Sequence, residues 1–385
     1  MLKKPYILAT SLLFLSMSIA SGHAESEPRR SNIQEQLVKI EQRFGVAAQS
    51  VKILKNGEPI FSGQQGFANI QLSSPIQDNN KYPVYSISKL FTNVLLMKLV
   101  EDGRLEINKS IRHYLPSLPL SWQHITVAHA WNHVSGLPEF FSLQVLNEGE
   151  IPNKMDVFET VQYKPLEYKT GSRTSYNQTG FMVITAILEK LYASPHPQLV
   201  DDIITSPLGL DNTGYAGSRE IVDRMVTAYS GQDGVIMQNP DLNWPAYAYA
   251  FSALYSTPAD LTKFMNAIYN QYFVKAETLE TLWKPMPRND GQLGGFAQGW
   301  FWGESGRFNY VGHTGGNNVK LRQYYTDLRG GDTYTIAYLT SGSSTNIYID
   351  NLVDEVMAIL DPEHFFLEKL GVDLFDLSFS SANQT

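Results

Sequence analysis

No cysteine occurs anywhere in the 385 residues. That excludes a disulfide framework, a thiolate metal site and a lipid-modified N-terminal cysteine, so the chain is held together by its core alone. Positive charge is also scarce: 30 Lys and Arg stand against 38 Asp and Glu, a formal net charge of -8. Setting aside Lys3 and Lys4, which belong to the leader described below, removes two positive charges and takes -8 to -10. No basic patch offsets this balance, which argues against nucleic acid as a partner. The apolar run over residues 6–20 is too short to span a bilayer, since a spanning helix needs about 20 residues. Internal repeats and long linkers are absent as well. His129 and His133 are four apart with His124 nearby, but no Glu follows His129 in an H-E-x-x-H pattern, so neither metal nor cofactor is expected.

What remains is ample material for a core: 43% hydrophobic and 12% aromatic residues, enough for two lobes. Residues 1–24 carry Lys3 and Lys4, the apolar run, and small residues ending at Ala20 or Ala24. These are the n-region, h-region and cleavage site of a signal peptide, so a secreted or periplasmic protein is expected. Residues 31–44 begin with a Ser/Asn cap and place Ile33, Leu37, Ile40 and Phe44 at helical spacing. Alternating runs follow around Asn56-Gly57, a strong hairpin signal. From residue 86 to about 282 the period is mostly helical, broken by Pro116, Pro119, Pro138, Pro165, Pro207, Pro245 and Pro258 among others. After Gln298 strands return, with turns at residues 304–306 and 329–332, and residues 346–360 read as a closing amphipathic helix. The pattern predicts an α+β fold: one antiparallel sheet made from both chain ends, flanked by terminal helices, with an inserted mainly helical lobe. The domain would cover residues 25–361, with a sheet lobe at about 32–85 and 290–361 and a helical lobe at about 86–289. A polar tail would occupy 362–385.

The most informative stretch is residues 85–103. Leu90, Phe91, Val94, Leu95, Leu96, Met97, Leu99 and Val100 put apolar groups on nearly every face, the pattern of a helix buried all round, and Gly103 suits its C-terminal cap. At its start stand Ser86 and Lys89. Residues three apart share a helix face, so a lysine side chain would lie one turn above a serine hydroxyl. Serine is a poor nucleophile at neutral pH unless a neighbour takes its proton, and a lysine in apolar surroundings loses its charge readily enough to do so.

The blocks around these residues resemble the serine β-lactamase and penicillin-binding-protein superfamily, in its class C-like branch. Ser86-Ile87-Ser88-Lys89 with Phe91-Thr92 comes first, then Gly103-Arg104-Leu105 and Tyr114-Leu115-Pro116. His133-Val134-Ser135-Gly136-Leu137, Gly171 with Tyr176-Asn177-Gln178, and Pro207-Leu208-Gly209-Leu210 follow in order. Residues 255–261 and Gly312-His313-Thr314-Gly315-Gly316 complete the set, so the resemblance covers roughly residues 32–360. It implies a β-lactamase/transpeptidase-like fold and a metal-free serine hydrolase. Ser86 would be acylated, Lys89 would be its proton partner, and Tyr176 would be a second base. Either Lys89 or Tyr176 could take the acylation proton. The backbone amides of Ser86 and Gly316 would form the oxyanion hole. Gln178, His313, Thr314 and Gly315 would bind substrate. A rival register would make Ser175 the shuttle, and His133 reads as a structural hydrogen-bonding residue. Trp300 and Trp302 read as core or cleft wall.

Two departures bear on substrate. His313 stands where β-lactamases and penicillin-binding proteins usually carry the lysine of K-T-G, and Gln178 stands where Asn is usual. The H-x-G form resembles the esterase and D-amino-acid peptidase members. An esterase or D-amino-acid peptidase acting on a small ester, amide or peptide is therefore expected first. A β-lactamase or D-Ala-D-Ala carboxypeptidase comes second, and a catalytically silent cell-wall-fragment or protein-binding member remains an alternative. Because histidine gains charge below about 6.5, preference for anionic substrates should grow as the pH falls.

Overall fold

The computed structural model describes residues 20–141, 154–215, 221–232, 234–239, 248–344 and 351–363. Residues 1–19 of the expected leader and 364–385 of the expected tail lie outside them. Helix α1 (Ala20–Phe44) buries Ile33, Leu37 and Ile40. It starts before the expected cap at Ser31 and runs through Pro28, with Arg29 and Arg30, good helix formers, carrying it on to Ser31. Arg30 Nε also donates to the Ile60 carbonyl at 3.0 Å, fastening this extension to the sheet.

Strands β1 (Ala48–Lys55) and β2 (Glu58–Asn69) form the hairpin read from Asn56-Gly57. Asn56 at φ 51° and Gly57 at φ 82° both occupy the left-handed region that a type I′ turn requires. Short strands β3 (Ser74–Pro75) and β9 (Phe296–Ala297) lie at the two edges. Between them, β10 (Trp300–Ser305), β11 (Phe308–Gly315), β12 (Val319–Tyr325) and β13 (Thr333–Thr340) complete eight antiparallel strands in the order β3-β2-β1-β13-β12-β11-β10-β9. The N-terminal and C-terminal parts of the chain thus meet at the β1–β13 pair, as the pattern predicted.

Each face of this sheet has its own core. On one face Val51, Ile53, Tyr324, Ile336 and Tyr338 pack with α1 and with the closing helix Asn351–Leu360, through its Val353, Val356 and Met357. On the other, Val311, Val319, Leu321, Ala337 and Leu339 join the core of the helical lobe. That lobe is less purely helical than expected. Strands β4 (Tyr82–Pro83), β5 (Gly214–Tyr215) and β8 (Leu254–Ser256) make a three-stranded sheet in it, and β6 (Tyr229–Gln232) and β7 (Val235–Gln238) make a separate hairpin. Their short polar runs carry too little alternation to register as strands. Helix Pro258–Tyr269, assigned by pattern to the helical lobe, packs across the sheet against β1, β12 and β13.

Helix α2 (Ser88–Glu101) is the buried axis the apolar pattern called for: every residue from Ser88 to Met97 is buried, and Gly103 at φ 66° follows its end. Its start differs from expectation. Tyr85–Ile87 is a separate 3₁₀ turn, entered through Tyr85 at φ 47°. The Ser88 hydroxyl donates to the Tyr85 carbonyl at 2.6 Å and accepts from the Leu254 amide at 3.1 Å, so it ties this turn to β8. Among the described residues no helix is long and apolar enough to cross a membrane.

Candidate active site

Ser86 lies in the 3₁₀ turn, partly exposed, and Lys89 lies in the first turn of α2, fully buried. Lys89 Nζ is 3.5 Å from Ser86 Oγ and donates to the Phe251 carbonyl at 3.0 Å. Three aromatic rings close around it: Tyr176 at 4.9 Å, Phe181 at 5.2 Å and Phe251 at 5.3 Å from Nζ to centroid. Among the described residues no carboxylate pairs with it directly. Burial pushes its ammonium well below the ordinary lysine range, against a weaker upward pull from Glu139. The sequence offered no sign of Phe251, which arrives from 162 residues away.

Tyr176 is held from both sides by one residue. The Ser175 amide donates to the His133 carbonyl at 2.8 Å, and the Asn177 amide donates to His133 Nδ1 at 3.1 Å. The two rings lie 4.6 Å apart. His133 is fully buried at φ 57°, so its hydrogen-bonding use is the one read from sequence, with a specific task. Because Nδ1 accepts, the ring proton sits on Nε2. Burial, then the charges of Lys89 and His313, hold this imidazole well below its usual pKa. The rival shuttle Ser175 is hydrogen-bonded to Tyr168, while the Tyr176 ring faces Lys89. Asn177 caps the helix Gln178–Tyr192 by accepting from Gly180 N at 2.8 Å.

Gln178 opens that helix with its side chain nearly buried, and its Oε1 has no hydrogen-bond partner among the described residues. Its backbone N–H donates to Glu139 Oε2 at 2.6 Å, and Glu139 Oε1 accepts from the Phe141 amide at 2.9 Å. Sequence reasoning missed Glu139. Burial raises its carboxyl pKa, and hydrogen bonds from the backbone of residues 140, 141 and 178 oppose that rise. The only sequence signal was its position two residues past the H-V-S-G-L block.

His313 projects from β11 and is 2% exposed. Its Nδ1–H donates to the Thr314 carbonyl at 2.6 Å, so Nε2 carries the lone pair. Phe301 packs at 4.6 Å and Tyr176 at 6.0 Å between ring centroids. Burial, with the Lys89 charge second, pushes this imidazole down to about 3. That corrects the expectation of growing anion preference: between pH 7 and 5 the buried ring gains no charge. Thr314 beside it is partly exposed. Gly315 and Gly316 end the strand against the Ser86 turn. A Cβ at Gly315 would lie 2.5 Å from the Val84 carbonyl, so that position needs glycine, and one at Gly316 would lie 3.1 Å from the Tyr85 ring, a tight fit.

The remaining histidines go to separate tasks. His129 Nδ1 accepts from Thr126 N at 3.1 Å in a capping box, and His124 Nε2 pairs with Thr170 Oγ1 at 3.1 Å. Among the described residues no cluster of His, Asp or Glu could hold a metal ion. Trp300 is core against Trp283 at 5.5 Å, and Trp302 donates to the Gly294 carbonyl at 3.0 Å on the sheet's flank.

A family model described as Beta-lactamase matches residues 31–351, most of the chain. The chain belongs to the beta-lactamase family. Among family relatives, Penicillin-binding protein 4* of Bacillus subtilis is 24% identical over 285 residues, 69% of this chain and 62% of that protein. A putative D-alanyl-D-alanine carboxypeptidase of Salmonella paratyphi A is 25% identical over 187 residues, 44% of this chain and 43% of that protein. The chain thus spans less than two thirds of the curated relatives it matches. Among solved structures, the D-amino acid amidase from Ochrobactrum anthropi SV3 superimposes with a TM-score of 0.71 at 21% identity, covering 87% of this chain and 99% of that one. EstCE1, a hydrolase with promiscuous acyltransferase activity, gives 0.71 at 16% identity, covering 88% and 99%. At these identities the likeness shows a shared fold.

Proposed function

We propose that this member of the beta-lactamase family is a serine hydrolase that works through an acyl-enzyme at Ser86. The observation that carries the reading is Lys89: a fully buried amine, unpaired by any described carboxylate, 3.5 Å from Ser86 Oγ. An amine kept neutral there can accept the hydroxyl proton as Oγ attacks the substrate carbonyl carbon. Tyr176, pressed against Lys89, is the second candidate for that proton and a route for returning it to the leaving group. The amides of Ser86 and Gly316 would take the developing oxyanion. Expulsion of the leaving alcohol or amine leaves an acyl ester on Ser86, and water then releases the acid. Gln178, His313, Thr314 and Gly315 would contact the substrate.

Small neutral esters and amides are the first substrate class, D-amino-acid amides included. His313 offers no permanent cation to a substrate carboxylate, and solved relatives of this fold include a D-amino acid amidase and EstCE1. The second reading, a β-lactamase or D-Ala-D-Ala carboxypeptidase, is favoured by the curated relatives. The lysine pair, apolar run and small residues of the first 24 positions support export to the periplasm or exterior.

A fluorophosphonate should label the folded protein at Ser86, and Ser86→Ala should abolish labelling. Labelling at Ser88 or Ser175 overturns the assignment, and no labelling at all overturns it in favour of a silent binding member. Turnover of a neutral ester, a D-amino-acid amide and a chromogenic cephalosporin by the unlabelled protein then ranks the substrate classes.

A further inference from the structure

Resting on the reading of Ser86 and Gly316 as oxyanion donors, we propose that Tyr85 is a positioning residue that fixes the gap between these two amides, with Asn317 clamping it in place. Tyr85 touches both. Its backbone runs through the peptide bond straight into the Ser86 amide, and its ring is the nearest surface to Gly316, 3.1 Å from where a Cβ there would lie. Gly315 stands over it as well, with a Cβ position 3.2 Å from Tyr85 Cβ. The ring therefore acts as the spacer on which the end of β11 rests.

Its backbone is set for that purpose. Tyr85 holds φ 47°, a conformation costly for a bulky residue, and such strain persists only where surrounding structure enforces it. The enforcement comes from across the sheet. Asn317 Nδ2 donates to the Tyr85 phenol oxygen at 3.1 Å and to the Ser341 carbonyl at 3.3 Å. The Asn317 carbonyl in turn accepts the Thr340 hydroxyl. Asn317 at φ 53° and Asn318 at φ 60° fold the chain sharply here, directly after Gly316. One side chain thus links the turn before the serine to β13 and to the strand end that carries the second amide. Donors of an oxyanion hole must sit about 2.7–3.1 Å from the developing charge, so a shift of a few tenths of an ångström in this spacer would be felt in the rate.

The test measures labelling of Ser86 by a fluorophosphonate and turnover of p-nitrophenyl acetate in the wild type, Tyr85→Phe, Asn317→Ala and the double variant. Tyr85→Phe keeps the ring and removes only the hydroxyl; Asn317→Ala attacks the same bond from the other side. Each single variant should label about tenfold more slowly, as expected for loss of one hydrogen bond. The loss should fall on kcat with KM unchanged, and the inhibition constant of phenylboronic acid, which forms a tetrahedral adduct, should rise by the same factor. The double variant should be no slower than either single one, because both break one contact. Wild-type rates in both singles, even with a lowered melting temperature, overturn the proposal, as does a double variant whose losses multiply. A wild type unlabelled at Ser86 overturns the hydrolase reading itself and this proposal with it.

Discussion

Two cations withdrawn from solvent, Lys89 fully buried and Arg322 half-buried, lie on opposite sides of the same sheet. Lys89 is enclosed by three aromatic rings and one carbonyl. Arg322, on β12, faces the terminal helices: its Nη1 is 3.5 Å from Asp354 Oδ1 and 3.3 Å from the Tyr324 hydroxyl, with the Tyr310 ring 4.5 Å from Cζ. Burial alone would weaken both charges. At Arg322 contact with Tyr324, Asp354 and Tyr310 outweighs burial and holds the guanidinium above its ordinary pKa, whereas at Lys89 burial prevails. The lesson is that a carboxylate partner marks the structural cation and its absence marks the reactive one.

The comparison breaks most readily at Lys89. Lys89→Met keeps the length of the side chain and removes the amine, so ester turnover should fall about 10²–10⁴-fold, the range supplied by a positioned acid or base. Its melting temperature should hold or rise, since an uncompensated buried amine is gone. A strongly destabilised variant would make Lys89 structural and erase the contrast.

Arg322→Met should do the reverse. Leaving Asp354 unpaired in a partly buried site should cost about 3 kcal/mol by urea denaturation, with kcat/KM of the folded protein unchanged. Adding Asp354→Leu should recover most of that loss. A drop in kcat/KM in the single variant would mean that the two faces are coupled.

The smallest effect sharpens the contrast through pH. His313 is held at about 3 when folded and near 6.5 when unfolded, so between those values the unfolded chain binds a proton that the folded one refuses. Stability from this group is complete above about 6.5 and is lost as the pH falls towards 3. The loss approaches 1.4 kcal/mol per pH unit, about 2 kcal/mol at pH 5. His313→Asn removes that dependence, so the stability gap between wild type and variant should narrow by about that amount from pH 7 to 5, read from denaturation midpoints. A gap independent of pH would show that the folded ring titrates normally.

What could be read from sequence was whatever depends on near neighbours. Asn56-Gly57 announced its turn, and the all-round apolar pattern of residues 90–100 announced a central helix. Block order and spacing brought Ser86, Lys89 and Tyr176 within reach of one another. Long-range partners stayed hidden: Phe251 for Lys89, Asn317 for Tyr85 at 232 residues' separation, and Glu139 for Gln178. No local period encodes such contacts. Burial of His313 was equally invisible, because a lone histidine between Gly312 and Thr314 carries no sign of the rings that will cover it. The left-handed Tyr85 runs against propensity, and only the packed surroundings impose it.

The pairing of β1 with β13 has a consequence in time. Gln49 lies opposite Thr340, so the centre of the sheet joins segments made far apart in time. Until the later strands emerge, β1 and β2 lack β13 beside them, and Val51, Ile53 and Phe61 have only α1 for cover. Helix α2 and the lobe around it can gather first, because their contacts are nearer in the chain. The strand end bearing Gly315 and Gly316 comes off the ribosome long after Ser86, so the newborn chain carries its serine through the making of the whole helical lobe with no complete site around it.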